Sequence, residues 1–189
     1  MIEIKTDRLI LKKPKNKDED LLISQIGNWD VAKWLSNVPY PYTNSHATEW
    51  FERTKSKDLE LGIYLDDLFI GGIELSEEKN ECYKLGYWLG RDYWGYGYAT
   101  EAGKGLIQYI SSQINSLTVT ARCMNGNGAS KNVLRKLGFK KVGEEKLYSV
   151  SQRKEVDCTL LILLKGSRED NVIDAAKKFS KKEEIWIPN

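Results

Sequence analysis

The sequence is poor in metal-binding and disulfide-forming side chains. It contains one histidine, His46, and three widely spaced cysteines, Cys82, Cys123 and Cys158. None of the spacings is typical of a zinc site, and an odd number of cysteines argues against a disulfide framework. We therefore expect no metal, buried free thiols, and a reducing, cytoplasmic location.

Long apolar runs and a strong excess of one charge are also lacking. No segment approaches the roughly 18 apolar residues of a membrane-spanning helix, and the first residues do not resemble a signal peptide. Twenty-nine basic residues oppose 27 acidic ones, for a net charge of +2. Because so small a charge disfavours duplex nucleic acid, and no basic patch interleaves the aromatics, an RNA-binding module has little support. We expect neither a membrane nor a nucleic-acid partner.

The rest of the composition is that of a soluble globular protein. Of the 189 residues, 41% are hydrophobic and 30% are charged, with six tryptophans and ten tyrosines. A chain of this length can form one domain that buries about 70% of its unfolded surface. We interpret most aromatic residues as packing residues, and a few of them can line a ligand groove.

The most informative stretch is GRDYWGYGYATEA, residues 90–102. An apolar run precedes it, and apolar residues recur afterwards at helical spacing, which predicts a strand, a turn and a helix. Gly95 and Gly97 allow a tight bend and the close approach of a ligand. The helix directs unpaired N–H groups and the positive end of its dipole at that turn. The stretch therefore predicts a site for a phosphate or pyrophosphate.

Two common phosphate motifs are excluded. A dinucleotide fingerprint requires a third glycine, where this chain has Thr100, and an acidic residue about 20 positions further on. After Glu101 the next acidic residue is Glu144. A P-loop requires Gly-Lys followed by Ser or Thr, whereas Lys104 is followed by Gly105.

A second stretch, NGNGASKNVLRKLGF at residues 125–139, has a similar organisation. A predicted strand over 117–123 leads through a polar turn into a short helix, which Gly138 ends. Together the two stretches resemble the GNAT superfamily of acyl-CoA N-acyltransferases, and most closely its RimJ/RimL branch of ribosomal-protein N-terminal acetyltransferases. The matching motifs are TDRLIL at 6–11, YWGYGYATEA at 93–102, and Asn127-x-x-Ser130 leading to KLGF at 136–139.

The resemblance covers roughly residues 5–165 and implies an α+β fold. The expected sheet is mixed, mostly antiparallel and splayed at the CoA site, with about six to seven strands and about four flanking helices. Strands 81–89 and 117–123 should pair in parallel through a crossover helix. We predict a GNAT domain over 1–165 and a helical extension over 166–189. The extension would pack on the domain or at a dimer contact, so the protein is expected to be a monomer or homodimer.

The remaining segments are assigned from local patterns. Ile2–Lys13 is predicted to be one strand, and residues 76–81 a charged turn. Either Asn44 or Ser45 is expected to cap a helix. An earlier helix, starting near Asp18, is predicted to bury Leu21, Leu22, Ile26, Trp29 and Trp34.

The resemblance implies acetyl-CoA, or CoA, as the cofactor. The N–H groups over 94–99 would hold its pyrophosphate, the end of the preceding strand would pair with the pantetheine arm, and the Leu89 N–H would donate to the acyl oxygen. Lys131 and Lys136 can approach the phosphates, although a solvated surface role is an equal alternative. The full predicted cofactor-binding set is Tyr87, Trp88, Leu89, Trp94, Gly95, Tyr96, Gly97, Tyr98, Ala99, Thr100, Asn127, Ser130 and Lys136.

Three side chains are candidates for proton transfer. In the wider superfamily a tyrosine often protonates the leaving thiolate, but that position is Leu134 here, which cannot donate. In the RimJ/RimL branch the candidate donor is a serine, which matches Ser130, although this serine could instead only cap its helix. Glu74 and Glu101 are the candidate bases. The alternatives are that Glu74 faces solvent and that Glu101 serves the helix dipole.

The acceptor is expected to be an amine that needs little help to lose its proton. An α-amine, with a pKa of about 7.7–8.0, is neutral at pH ~7 far more often than a lysine, with a pKa of about 10.4. The lack of a dedicated histidine base thus favours acetylation of a protein or peptide N-terminus. Two alternatives stay open: acetylation of a small amine such as an aminoglycoside or polyamine, and a non-catalytic acyl-CoA-binding sensor.

Overall fold

A computed structural model describes residues 2–79 and 82–166, so the predicted C-terminal extension lies outside the described residues from position 167 onward. Its strands form one eight-stranded sheet. Their bounds are β1 Glu3–Lys5, β2 Leu9–Lys12, β3 Glu60–Leu65, β4 Leu68–Lys79, β5 Cys82–Leu89, β6 Ser116–Met124, β7 Lys140–Ser149 and β8 Lys154–Gly166. The α-helices of the described part are α1 Glu19–Ile26, α2 Trp29–Ala32, α3 Asn44–Ser56, α4 Tyr98–Ser111 and α5 Gly128–Lys136.

The sheet is antiparallel except at one strand pair. Its strand order is β1-β2-β3-β4-β5-β6-β8-β7. Only β5 and β6 run parallel, as predicted, and their pairing is limited to Cys82–Lys84 against Thr118–Thr120. Both strands continue for several residues beyond this register, and in the described part of the chain they do not pair again. The sheet is therefore splayed at the end where the glycine turn follows β5.

An apolar cluster on each face of the sheet holds the helices. One cluster joins the sheet to α4 and α5 and includes the buried residues Leu61, Ile63, Ala102, Leu106 and Leu134. The other joins the opposite face to α1 and α3 and includes Leu22, Ile26, Trp50, Phe51, Tyr64 and Phe69. Because side chains alternate along a strand, neighbours on β5 serve different clusters. Tyr87 packs against the first cluster, and Trp88 packs against the second.

The predicted fold class is confirmed, although the counts of strands and helices differ. The segment Ile2–Lys13 is a hairpin of β1 and β2 rather than one strand. The chain turns because Thr6 N–H donates to Leu9 O at 2.9 Å, while the Thr6 hydroxyl accepts from Leu9 N–H at 3.0 Å. This division gives eight strands instead of seven, and the separate helix α2 gives five helices instead of four in the described residues.

The predicted charged turn at 76–81 is also wrong for the residues that the structure describes. Residues 76–79 continue β4, with Ser76 opposite Lys84 and Glu77 opposite Tyr83. Charged side chains can point into solvent from a strand, so the run of charges did not require a turn.

Two helix assignments are corrected. Trp29 is 42% exposed rather than buried, because α1 ends at Ile26 and the side chain of Asn28 starts a new helix by accepting from Asp30 N–H. The N-cap of α3 is Thr43, whose N–H donates to His46 Nδ1 at 3.1 Å, rather than Asn44 or Ser45.

The cysteines are free thiols, buried at Cys123 and Cys158 and half-buried at Cys82. Across residues 2–79 and 82–166 we find no helix with the length and apolar character needed to cross a membrane. The same residues contain no cluster of three or more His, Cys, Asp or Glu side chains able to hold a metal ion.

Candidate active site

The turn after β5 has the backbone of an anion cradle. Gly95 and Gly97 adopt φ angles of +87° and +85°, a left-handed conformation that residues with a Cβ rarely accept. Gly97 is the N-cap of α4 and provides no capping side chain, so the N–H groups of Tyr98–Thr100 have no partner within the helix. A Cβ at Gly95 would have no atom within 4 Å, so this side of the turn is open. The turn fits a pyrophosphate.

Glu101, in the first turn of α4, has both carboxylate oxygens occupied. Its Oε1 accepts from the Thr6 hydroxyl and from the Arg8 backbone N–H, each at 2.7 Å. Its Oε2 accepts from the Arg8 guanidinium at 2.7 Å. Burial alone would raise the pKa of Glu101, but the hydrogen bonds from Thr6 and Arg8 outweigh it and lower that pKa. This arrangement does not favour a base, and the catalytic role of Glu101 stays a prediction.

The splayed end of β5 directs backbone donors into the gap beside β6. Gly90 N–H donates to Ile70 O on β4 at 3.0 Å. Successive amides of a strand point to opposite sides, so the N–H groups of Leu89 and Tyr87 point away from β4. The Trp94 indole holds this strand end by donating to Leu89 O at 2.9 Å. The gap thus offers the strand-like donors expected for a pantetheine arm and an acyl oxygen.

Tyr87 and Ser130 connect β5 to α5 across the splayed seam. Tyr87 OH lies 2.9 Å from Ser130 Oγ and donates to Ser130 O at 3.1 Å. Burial raises the pKa of Tyr87, although the hydrogen bond with Ser130 opposes this shift, so the phenol stays protonated at neutral pH. Asn127 Oδ1 caps α5 by accepting from Ser130 N–H at 3.0 Å. The Ser130 hydroxyl is therefore not the cap, and its role in proton transfer stays a prediction.

Glu74 lies over β5 on the α1–α3 face of the sheet. It is opposite Gly86 in the register of β4 and β5, and a Cβ at Gly86 would come within 2.9 Å of Glu74 Oε1. Glycine at position 86 therefore leaves the space that the carboxylate occupies. Among the described residues we find no hydrogen-bond or ion-pair partner for Glu74. A half-buried carboxylate without a partner is a candidate base or amine receptor.

The pKa of Glu74 is raised above its ordinary value. Burial is the main cause, followed by the nearby Glu60 carboxylate, while Lys57, Arg53 and Lys84 oppose the shift. Glu60 itself is engaged by Arg53, whose Nη2 donates to Glu60 Oε1 at 2.7 Å. Of the two carboxylates, which face each other across β3 and β4, only Glu74 is free to accept a proton from a substrate.

The other predicted cofactor residues lie around the turn and the seam. The Trp88 indole folds back over β4, where a Cβ at Gly72 would lie 2.7 Å from its Nε1. The rings of Tyr96 and Tyr98 stack at the turn with centroids 5.7 Å apart. Lys136 is exposed in the last turn of α5, so its role at the phosphates stays a prediction. Leu134, at the position of the wider superfamily's tyrosine, is 1% exposed in the core.

Three features of the site were missed from the sequence alone. These are the engagement of Glu101 by Thr6 and Arg8, the bond between Tyr87 and Ser130, and the space that Gly86 leaves for Glu74. Thr6 and Arg8 belong to the motif TDRLIL, which carries part of the family resemblance, but the motif does not indicate the helix that they contact. Tyr87 and Ser130 are separated by 43 positions in the sequence, and Glu74 and Gly86 by 12 positions. No local pattern links the members of either pair.

Comparison with known proteins places the chain in a family. Residues 8–140 match the Acetyltransferase (GNAT) domain, and the chain therefore belongs to the GNAT acetyltransferase family. A curated relative, the uncharacterized N-acetyltransferase p20 of Bacillus licheniformis, is 28% identical over 169 residues, which cover 85% of this chain and 94% of the relative. The protein is an N-acetyltransferase of a family that uses acetyl-CoA, which confirms the predicted enzyme class and cofactor.

Solved structures share this fold. The microcin C7 self-immunity acetyltransferase MccE, in complex with acetyl-CoA and AMP, superposes with a TM-score of 0.71 at 21% identity, covering 84% of this chain and 93% of that one. Mycobacterium smegmatis RimJ, in complex with CoA-disulfide, superposes with a TM-score of 0.72 at 18% identity, covering 95% of this chain and 93% of that one. At these identities the likeness shows the fold alone.

Proposed function

We propose that the protein acetylates the α-amine of a protein or peptide N-terminus in the cytoplasm, using acetyl-CoA. The observation that carries the proposal is the position of Glu74, a half-buried carboxylate without a partner among the described residues, directly over the strand that ends at the glycine turn. A protein that only sensed acyl-CoA would not need a free carboxylate there. We place the catalytic domain at residues 1–165.

The residues around the turn and the seam fit acetyl-CoA. Backbone N–H groups from Trp94 to Ala99 would hold the pyrophosphate, and the end of β5 would pair with the pantetheine arm. Asn127 uses only its Oδ1 in the helix cap, so its side-chain NH₂ can donate to the same arm. When bound, the cofactor supplies the acetyl group as a reactive thioester.

Each proposed catalytic group has a separate task. Glu74 accepts the proton that the attacking amine loses. The Leu89 N–H polarises the acyl carbonyl, and one such donor contributes about 3–4 kcal/mol in other enzymes. Ser130 Oγ holds a proton for the leaving sulfur. Tyr87 OH lies 2.9 Å from Ser130 Oγ and positions the serine hydroxyl for that purpose.

The charges around Glu74 favour an α-amine over a polycation. Aminoglycosides and polyamines carry several positive charges and need an acidic cleft. Here Arg53 and Lys57 contact Glu60, with distances of 2.7 and 3.9 Å, and both also act on Glu74. Because Glu60 is engaged by these cations, Glu74 is the one carboxylate of the pair left to bind a charged acceptor, and a single negative charge suits an acceptor with a single amine.

Replacing Ser130 by alanine is expected to lower kcat by about tenfold or more, since proton donation by a positioned side chain typically contributes at least that much. Tyr87→Phe should give a smaller loss. The double variant should match Ser130→Ala, because Tyr87 acts through the serine. Steady-state kinetics with free CoA as the readout would measure these effects. Ser24→Ala is the control, since Ser24 is an exposed helix residue. Independent, multiplying effects of the two substitutions would contradict this relay.

The acceptor assignment is tested by a screen for CoA release with matched amines. One peptide has a free N-terminus and no lysine, a second has the same sequence with a blocked N-terminus and one lysine, and a polyamine and an aminoglycoside complete the set. We expect turnover only with the free N-terminus. Turnover with the polyamine or aminoglycoside alone would overturn the acceptor class. CoA binding without turnover on any amine would instead indicate an acyl-CoA sensor.

A further inference from the structure

The hairpin between β1 and β2 holds the phosphate turn through one arginine. Arg8 Nη1 donates to Tyr96 O at 3.1 Å, and its guanidinium lies 4.6 Å from the centre of the Tyr98 ring. Its Nε and Nη2 bond to Glu101 at 2.7 Å. Arg8 thus contacts residues on both sides of Gly97. Its Nη2 would lie 3.6 Å from a Cβ at that glycine, directly beside the bend.

Arg8 also offsets the repulsion between a carboxylate of α4 and a pyrophosphate bound at the start of that helix. A carboxylate in the first turn of α4 is favourable for an empty helix end, but it would repel a pyrophosphate bound to the same N–H groups. Glu101 is such a carboxylate, and it is held in its charged form by its hydrogen bonds. The Arg8 guanidinium neutralises it with a two-point contact, which a lysine cannot reproduce.

We propose that Arg8 is a positioning residue for cofactor binding: it fixes the Tyr96–Tyr98 backbone around Gly97 and cancels the charge of Glu101 beside the pyrophosphate site. This role rests on the proposed cofactor site. It assigns Glu101 to the support of the turn rather than to proton transfer. The residue acts from outside the site, because its contacts are with the turn and with α4.

The test is a set of variants measured by calorimetric titration with CoA and by steady-state kinetics. Arg8→Ala should weaken CoA binding and raise KM for acetyl-CoA by about tenfold, the usual scale for losing a charged hydrogen-bonding partner. Its kcat at saturating acetyl-CoA should change little. Arg8→Lys should lie between wild type and Arg8→Ala. The double variant Arg8→Ala/Glu101→Gln should recover part of the lost affinity, because it removes the uncompensated charge.

Lys5→Ala is the matched control, since Lys5 is an exposed cation on the same hairpin whose ion pair with Glu3 is long, at 3.7 Å. It should leave CoA affinity unchanged. Wild-type affinity in Arg8→Ala would overturn the role of Arg8. Equal affinity of Arg8→Ala and the double variant would overturn the charge argument. A wild-type protein that does not bind CoA would remove the cofactor site itself, which is a separate and distinguishable result.

Discussion

The Glu74→Gln enzyme is expected to lose about 100-fold or more in kcat, while its KM for acetyl-CoA stays near the wild-type value. The loss in kcat is expected because a general base contributes on this scale. The KM should stay because Glu74 lies on the face of the sheet opposite to the Tyr87–Ser130 contact. Glutamine keeps the shape of the side chain but cannot accept the proton. Initial rates of CoA release over a range of acetyl-CoA and acceptor concentrations would measure both constants.

The pH dependence separates a base from a structural carboxylate. The pKa of Glu74 is raised by burial and by Glu60, and the base works only when ionised. The rate should therefore fall as the pH drops through that raised pKa, in addition to the loss caused by protonation of the acceptor amine. The pH profile of Glu74→Gln should lack the fall in rate that protonation of the carboxylate causes in the wild-type enzyme. A variant with the full wild-type profile would contradict the assignment.

Stability should move in the opposite direction from activity. A carboxylate whose folded-state pKa is raised contributes stability at low pH, and this contribution is lost as the pH rises through the folded pKa. At neutral pH the charged Glu74 therefore costs stability, and Glu74→Gln should melt at the same temperature or higher. Glu77→Gln is the control for the charge, since Glu77 is an exposed residue of the same strand. Gly86→Ala should also lower kcat, because its Cβ would displace the Glu74 carboxylate.

The Gly97→Glu protein is expected to lose CoA binding by at least about 100-fold, and acetyl transfer with it. The change places a Cβ at a φ of +85° and a negative charge at the anion cradle. A residue with a Cβ costs about 1–2 kcal/mol in this backbone region, and the new carboxylate would repel the pyrophosphate. Calorimetric titration with CoA would measure the loss of affinity.

Two comparisons separate charge from strain in this experiment. Gly97→Ala carries the backbone strain without the charge, so it should bind CoA more weakly than wild type but more tightly than Gly97→Glu. Gly143→Glu carries the same charge at a glycine with open space and no positive φ, and it should bind CoA normally. Normal CoA binding by Gly97→Glu would refute the placement of the pyrophosphate at this turn.

The sequence predicted those helices, strands and turns that are defined by the local positions of glycine and apolar residues. The strand predicted over 117–123 agrees with β6 within one residue at each end, and the helices expected after the glycine turn and the polar turn are α4 and α5, because helix periodicity and turn glycines are short-range signals. The parallel pairing of β5 with β6 also followed from a strand-helix-strand order. Ser130 and Glu74 were named from family motif and strand position, and their catalytic roles stay predictions.

What could not be predicted depends on contacts between distant segments. The carboxylate of Glu101 was a possible base in the sequence, and only the position of the β1–β2 hairpin showed that Thr6 and Arg8 occupy its oxygens. The division of Ile2–Lys13 into two strands depends on hydrogen bonds of Thr6, a residue that is compatible with an uninterrupted strand. Residues 76–79 extend β4 because β5 pairs with them, whatever their charge.

The limited pairing of β5 with β6 also divides the sheet mechanically. Among the residues that the structure describes, three residue pairs join the five strands on one side to the three on the other. A ligand whose amides bonded to both β5 and β6 would act as an extra strand and would join the two parts of the sheet. Ligand binding and folding stability are then thermodynamically linked, since whatever binds only the folded state stabilises it. The metabolic supply of the acetyl donor would thus stabilise the folded state of the enzyme that consumes it.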